Sequence, residues 1–159
     1  MIEATTITNH DEWNDTLRTL PYAHVLQSWE WGDFKQATTG WTPERIAFKR
    51  EGQVVAMASV LTRRVGPLAV MYVPKGPALD YADSALVAHV LDHLQGLAKR
   101  RFAIWLKIDP DVIARTGVPG DEDDTPHPTG QAVMQMLTQR GWRESADQPQ
   151  FRNTITLDL

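Results

Sequence analysis

Between residues 42 and 74 the chain reads "TPERIAFKR", "EGQ", "VVAMASVLTRR", "VGP" and "LAVMYVP". Three strand-like segments follow one another with only a tight turn between neighbours. Glu51-Gly52 and Gly66-Pro67 are turn dipeptides, and connections this short join antiparallel strands, because a parallel pair needs a crossover. The alternation in "RIAFKR" fits a strand with one wet face. "VVAMASVL" is apolar on both faces and reads as central. A chain with this middle section must be built around an antiparallel meander.

The flanks add helices to that meander. Residues 2–8 are rich in β-branched side chains and read as a first strand. "NHDEWNDTLRTL" reads as a helix with Asn9 as N-cap, acidic residues in its first turn and Pro21 closing it. "QSWEWGDFK" opens a second helix, capped by Ser28 and ended near Gly40. After Asp80, "YADSALVAHVLDHLQGLAKRR" has a helical period. Leu86, Val87, Val90, Leu91, Leu94 and Leu97 form one apolar stripe, Asp83 or Ser84 can cap the start, and Lys99, Arg100 and Arg101 suit the negative end. "FAIWLKIDP" is then expected as an apolar strand in mid-sheet, and "TGVPGDEDDTPHPTG" as a mobile surface loop. A helix over 131–140 stops at Gly141, and "FRNTITLDL" closes as a strand. The order β-α-α-β-β-β-α-β-α-β implies a mixed α/β fold, with a mostly antiparallel sheet flanked by helices and one strand–helix–strand crossover. No repeat or linker interrupts it, so residues 1–159 are expected to form a single domain.

Composition removes several function classes. At 159 residues, 42% hydrophobic and 23% charged, the chain can bury a core of ordinary size. Its net charge of −4 argues against coating nucleic acid with a broad positive field, while leaving a local basic site open. Without cysteine there are no disulfides, thiolate metal sites or cysteine nucleophiles. "MIEATTITNHDEW" has neither a basic n-region nor an apolar h-region, so no signal peptide is expected. No apolar run approaches the roughly 20 residues of a membrane span. The expected location is the cytoplasm.

Among chemistry-bearing residues, His89 and His93 stand four apart on one helix, a metal-ligand spacing. No third ligand accompanies them, and two solvated histidines are expected. The acidic run 121–124 lacks the spacing of a calcium loop. Asp109 and Asp111 sit where a strand ends, and serve equally well as functional carboxylates or as turn residues. No nucleophile elbow, Walker or dinucleotide glycine motif occurs. Trp31 and Lys35 are four apart and share a helix face, with Phe34 three from Trp31. Two readings stand side by side: an amphipathic helix with a snorkelling lysine, or a cationic pocket with aromatic walls.

The element order resembles that of GNAT acetyltransferases, in which the turn between the fourth strand and the next helix cradles the coenzyme A pyrophosphate. Such a cradle needs free N–H groups converging on a helix N-terminus. In "YVPKGPALD", Pro74 and Pro77 lack an N–H, so that cofactor is not expected, and Lys75 becomes a candidate anion ligand.

Four segments in order, "HVLQSWEWGDFK", "YVPKGPALDYAD", "WLKIDPD" and "GWRESADQPQFRNTITLDL", resemble the Fem aminoacyltransferases, which build peptidoglycan interpeptide bridges. That resemblance implies two GNAT-like domains, of which this chain resembles the first. It implies transfer of an amino acid from aminoacyl-tRNA to an amine on the stem peptide of a UDP-muramyl-pentapeptide or lipid II. It implies neither a metal nor another cofactor, and it implies a bacterial cytoplasmic location, either free or peripheral to the inner membrane face. Lys35, preceded by Gln27, Ser28 and Trp31, would contact the precursor diphosphate. Tyr72, Lys75, Gly76 and Asp80 would add contacts to the precursor, and Arg152 and Asn153 would be structural. Family members continue past "LDL" into a second GNAT-like domain that faces the tRNA, so this chain alone is expected not to catalyse transfer and to need that domain or a partner chain. Two other readings are an acyl-CoA-dependent N-acetyltransferase and a non-catalytic module that binds precursors or a partner.

Overall fold

A computed structural model describes residues 1–118 and 120–146, and the chain divides into two compact units, Met1–Val112 and Ile113–Leu159. The first contains β1 (Ile2–Thr6), α1 (His10–Leu17), a 3₁₀ turn (Val25–Gln27), α2 (Trp29–Thr39), β2 (Thr42–Arg50), β3 (Gln53–Val65), β4 (Leu68–Val73), β5 (Ala78–Leu79), α3 (Ser84–Arg100) and β6 (Ala103–Ile108). The sheet runs β1-β2-β3-β4-β6, with the short β5 also paired to β3. Every pairing is antiparallel except β4 with β6, which the α3 crossover makes parallel. The expected mixed, mostly antiparallel sheet with flanking helices is therefore present.

Local chemistry explains the boundaries. Glu51 and Gly52 both adopt positive φ, 52° and 82°, as a primed two-residue hairpin requires. The side chains of Asn9, Ser28 and Asp83 each accept a backbone N–H in the first turn of α1, α2 and α3, satisfying donors that a helix start leaves free. Such a cap is worth about 1 kcal/mol. Helix α2 ends on Gly40 in the left-handed conformation. Helix α1 ends at Leu17, short of Pro21, and β1 at Thr6 rather than residue 8.

The pleat sends alternate residues to opposite faces. On one face Ala47 and Met57 pack with Ile7, Trp13, Leu17 and Ala78. Trp13 is completely buried, and its indole N–H donates to the Gln27 carbonyl at 2.9 Å. On the other face Phe48 meets α3, whose stripe of Leu86, Val87, Val90, Leu91, Leu94 and Leu97 is buried as the periodicity predicts.

Two expectations are corrected in this unit. The strand β6 ends the sheet among the described residues instead of lying mid-sheet, and Ile104 and Trp105 are exposed. Apolar content on both faces cannot say how many strand neighbours a segment has. His89 and His93 are not solvated but half-buried, each ring edge-on to Phe48, with centroids 6.4 and 5.2 Å away. Burial pushes the His93 pKa down, with Arg100 and His89 adding to the shift.

In the second unit, the segment expected to be a mobile loop is instead a small hairpin, β7 (Arg115–Thr116) with β8 (Thr125–Pro126). Its acidic run closes the turn: Arg115 donates to Asp124 at 2.6 Å, and Asp124 also takes the Gly120 N–H. Helix α4 (Pro128–Gln139) follows, with proline in its first turn, where the absent N–H costs nothing. The expected closing strand, with Arg152 and Asn153, lies outside the described residues.

Candidate functional site

The site begins at a break in the sheet. Strand β4 accompanies β3 from Val65 to Leu61, while β5 joins β3 only at Met57 and Ala56. Ser59 falls between these pairings. Gln27 fills the break: its Oε1 accepts the Ser59 N–H at 2.8 Å, and its Nε2 donates to the Pro74 carbonyl at 2.5 Å. One carboxamide thus replaces a peptide group of the missing ladder, and it is wholly buried. Gly76 faces it closely, since a Cβ there would stand 2.7 Å from the Gln27 Cδ.

Beyond Pro74, the ends of the parallel strands β4 and β6 meet at one carboxylate. Asp109 accepts the Tyr72 hydroxyl at 2.7 Å on Oδ2 and the Lys75 N–H at 2.6 Å on Oδ1. The Lys75 ammonium turns instead to Asp111, at 2.9 Å. Burial raises the Asp109 pKa above the usual carboxylate value, although Tyr72 and Lys75 pull the other way. Beneath the loop Tyr81 is buried and donates to the Pro77 carbonyl at 2.7 Å, and burial pushes its phenol well up.

The second group lies on α2. The Lys35 Nζ stands 5.4 Å from the centre of the Trp31 ring, within cation–π range, and Trp31 in turn contacts Phe34. The residue this helix buries is Gly32, against Pro43 and Arg45. Of its aromatics, Trp29 packs half-buried against the core, Trp31 is half-buried and Phe34 is exposed. Arg45 fastens the helix to β2. Its guanidinium stacks 3.5 Å over Trp29 and donates to the Trp29 carbonyl at 2.9 Å and to Asp33 at 2.6 Å.

Of the residues singled out from sequence, Tyr72 and Lys75 therefore converge on Asp109, and Trp31 and Lys35 pair on α2. Gly76 serves the Gln27 plug. The Asp80 carboxylate closes its own turn by accepting the Ala82 N–H at 2.9 Å. Sequence reasoning left Asp109 undecided and named Gln27 only within a motif. Nothing in local spacing announces a glutamine that completes a sheet 32 residues away. Among the described residues no cluster of three or more histidines and carboxylates is placed to hold a metal ion.

The start of α3 bears on coenzyme A. The Asp83 carboxylate accepts the Leu86 N–H at 2.9 Å and pairs with Arg50 at 2.9 Å. The Leu86 amide, with Arg50 assisting, holds its pKa below the ordinary value. The Leu86 N–H at this terminus is therefore taken by the chain's own carboxylate, itself paired with Arg50, and is not left free for an anionic pyrophosphate.

The sequence matches the FemAB family over residues 5–158. The chain belongs to that family. It is 34% identical over 108 residues to the lipid II:glycine glycyltransferase of Staphylococcus aureus, a match covering 67% of this chain and 25% of that protein. The enzyme of the same name from Staphylococcus haemolyticus (strain JCSC1435) is 30% identical over 119 residues, covering 74% of this chain and 28% of the relative. This FemAB chain thus spans about a quarter of the length of these relatives. Among solved structures, FemX superposes with a TM-score of 0.69 and 29% identity, covering 87% of this chain and 31% of FemX. An acetyltransferase from Trypanosoma brucei superposes at 0.57 and 14% identity over the whole of both chains, which establishes the GNAT-like fold alone. No described helix is long and apolar enough to cross a membrane.

Proposed function

We propose that residues 1–159 are the N-terminal GNAT-like domain of an aminoacyl-tRNA-dependent transferase that adds amino acids to the stem peptide of a peptidoglycan precursor. The observation that carries this reading is the occupied start of α3. Asp83, paired with Arg50, takes the Leu86 N–H there, and Pro74 and Pro77 in the preceding loop lack an N–H, which argues against an acyl-CoA donor. A tRNA ester is a donor that is already activated and needs no pyrophosphate cradle. The amine of the acceptor attacks the ester carbonyl, the new C–N bond replaces the C–O bond, and the tRNA hydroxyl leaves with a proton. The protein's task is chiefly to hold amine and ester in register.

In this reading Lys35, backed by Trp31, takes the precursor diphosphate as a point charge in a partly dry setting. The stem-peptide amine approaches the β4–β6 end. Asp109 keeps lone pairs free beyond those used by Tyr72 and Lys75, and can accept a hydrogen bond from an incoming N–H. Lys75 stays anchored to Asp111. The acceptor is UDP-muramyl-pentapeptide or lipid II, and the tRNA contacts belong to a second domain or partner chain. The 159-residue chain alone is expected to bind precursor and not to transfer.

The test is titration calorimetry of UDP-muramyl-pentapeptide with the parent chain and Lys35→Ala. Weaker binding by the variant, with an unchanged melting temperature, is expected; equal affinity removes Lys35 from the site. A rise in melting temperature with acetyl-CoA would return the reading to an N-acetyltransferase. Transfer by the chain alone at a rate comparable to its longer relatives would end the half-site account.

A further inference from the structure

Two segments at the far end of the sheet from Asp109 share a chemistry that the proposed site does not use. The β3–β4 hairpin tip reads Arg63-Arg64-Val65-Gly66-Pro67-Leu68, and every residue of it is exposed. The turn from α3 into β6 reads Lys99-Arg100-Arg101-Phe102, followed by Ala103 and Ile104. The fold brings them together. Val65 pairs with Leu68, the Ala69 N–H bonds the Phe102 carbonyl at 3.1 Å, and Arg101 reaches the Thr62 hydroxyl at 3.3 Å. Neither segment contains an acidic residue, and Glu44 on β2 is already engaged by Arg101.

Phe102 is the most informative member. It follows α3 at φ 54°, the left-handed position that glycine usually takes at a helix end, and its side chain is 70% exposed. A phenylalanine there carries backbone strain and leaves its ring in water, so neither stability nor solubility explains it. Val65, Leu68 and Ile104 on the two segments are likewise exposed, and Arg63, Arg64 and Lys99 supply a cationic collar, while the Arg100 guanidinium folds back over Gly96. Apolar tips within a cationic collar suit an anionic lipid interface. The apolar groups enter the boundary between headgroups and acyl chains, while guanidinium and ammonium groups meet the lipid phosphates. An RNA would use the collar but leave Val65, Leu68 and Phe102 in water.

We propose that hairpin tip 63–68 and turn 99–104 form a docking surface for an anionic membrane. The proposal deepens the function above and rests on that reading for its purpose, since a lipid-linked acceptor lies on such a surface. The geometry agrees with the order of groups in that acceptor, diphosphate near the membrane and peptide farther out. The last turn of α2 is tied to Trp41 through the Lys35 carbonyl, and Thr42 pairs with Thr62, next to Arg63. That places the Lys35 end of α2 toward the patch. Tyr72 and Asp109 lie at the other end of β4, roughly 15–20 Å away at strand rise.

The experiment is co-sedimentation of the 159-residue protein with vesicles of phosphatidylglycerol and phosphatidylcholine, against phosphatidylcholine alone, with no precursor present. Binding to the anionic vesicles that weakens with salt is expected. Arg63→Gln and Arg64→Gln should each lower the partition coefficient about fivefold. Phe102→Gly should lower it about tenfold while leaving the melting temperature unchanged or raised, because the strain is relieved. The proposal is overturned if the parent ignores anionic vesicles at low salt, or if Phe102→Gly binds as the parent does. It is also overturned if light scattering shows a dimer that the patch variants dissolve while vesicle binding is absent. Because the vesicles carry no precursor, this result and the Lys35 titration can fail independently.

Discussion

Replacing Gln27 by leucine removes the carboxamide that bridges the break between β4 and β5, while retaining most of its volume. Two buried groups lose their partners, the Ser59 N–H and the Pro74 carbonyl. Each costs about 1–3 kcal/mol when left unsatisfied, so about 3–4 kcal/mol is expected in total. That is a large part of a stability on the order of 10 kcal/mol, and corresponds to roughly 10 °C in melting temperature for a chain of this size. Urea unfolding followed by circular dichroism gives the difference at constant slope, and hydrogen exchange should show the Ser59 amide losing its protection. Gln27→Glu separates the two bonds. Its carboxylate can still accept from Ser59 but donates to Pro74 only when protonated, so the loss should shrink at low pH. Gly76→Ala provides a coupled arm. In the parent a new Cβ must push the pinned carboxamide aside, whereas beside Gln27→Ala the same methyl finds room, and the two substitutions should be non-additive. A Gln27→Leu variant within about 1 kcal/mol of the parent, with an unchanged slope, would refute the view that this side chain completes the sheet.

Three titrating groups complete the set. His10 bonds Asp11 and Glu30, both at 2.7 Å, and the Asp11 bond, followed by that to Glu30, raises its pKa above 6.5. A raised histidine contributes stability that is complete below 6.5 and lost as pH rises through the folded value, so His10→Ala should remove that decline. Glu30 is pulled to about 2 by its own backbone N–H and by His10, and its contribution, present above 4.5, is lost as pH falls toward that value. For Asp109, Tyr72→Phe deletes a donor to the charged form, and the carboxyl midpoint followed by carbon NMR should move further up. A downward move would mean that the Tyr72 hydroxyl does not favour the charged form.

The local chemistry was legible in the chain itself. Ser28 and Gly40 bound α2 because a hydroxyl cap and a left-handed glycine act within a few residues. Glu51-Gly52 and Gly66-Pro67 set the meander for the same reason, and the α3 stripe follows from its period. Family membership was legible too, since linked motifs survive as patterns along the chain. Where β6 sits, that α2 buries a glycine and leaves its aromatics half out, and that acidic residues close a hairpin depend on partners distant in sequence. No periodicity encodes them. The clearest case is Gln27, whose sequence neighbours mark it as the residue before a helix cap. Its role comes from Ser59 and Pro74, which only the folded sheet brings within hydrogen-bonding distance, and a bond between groups 32 and 47 residues apart leaves no trace in local pattern.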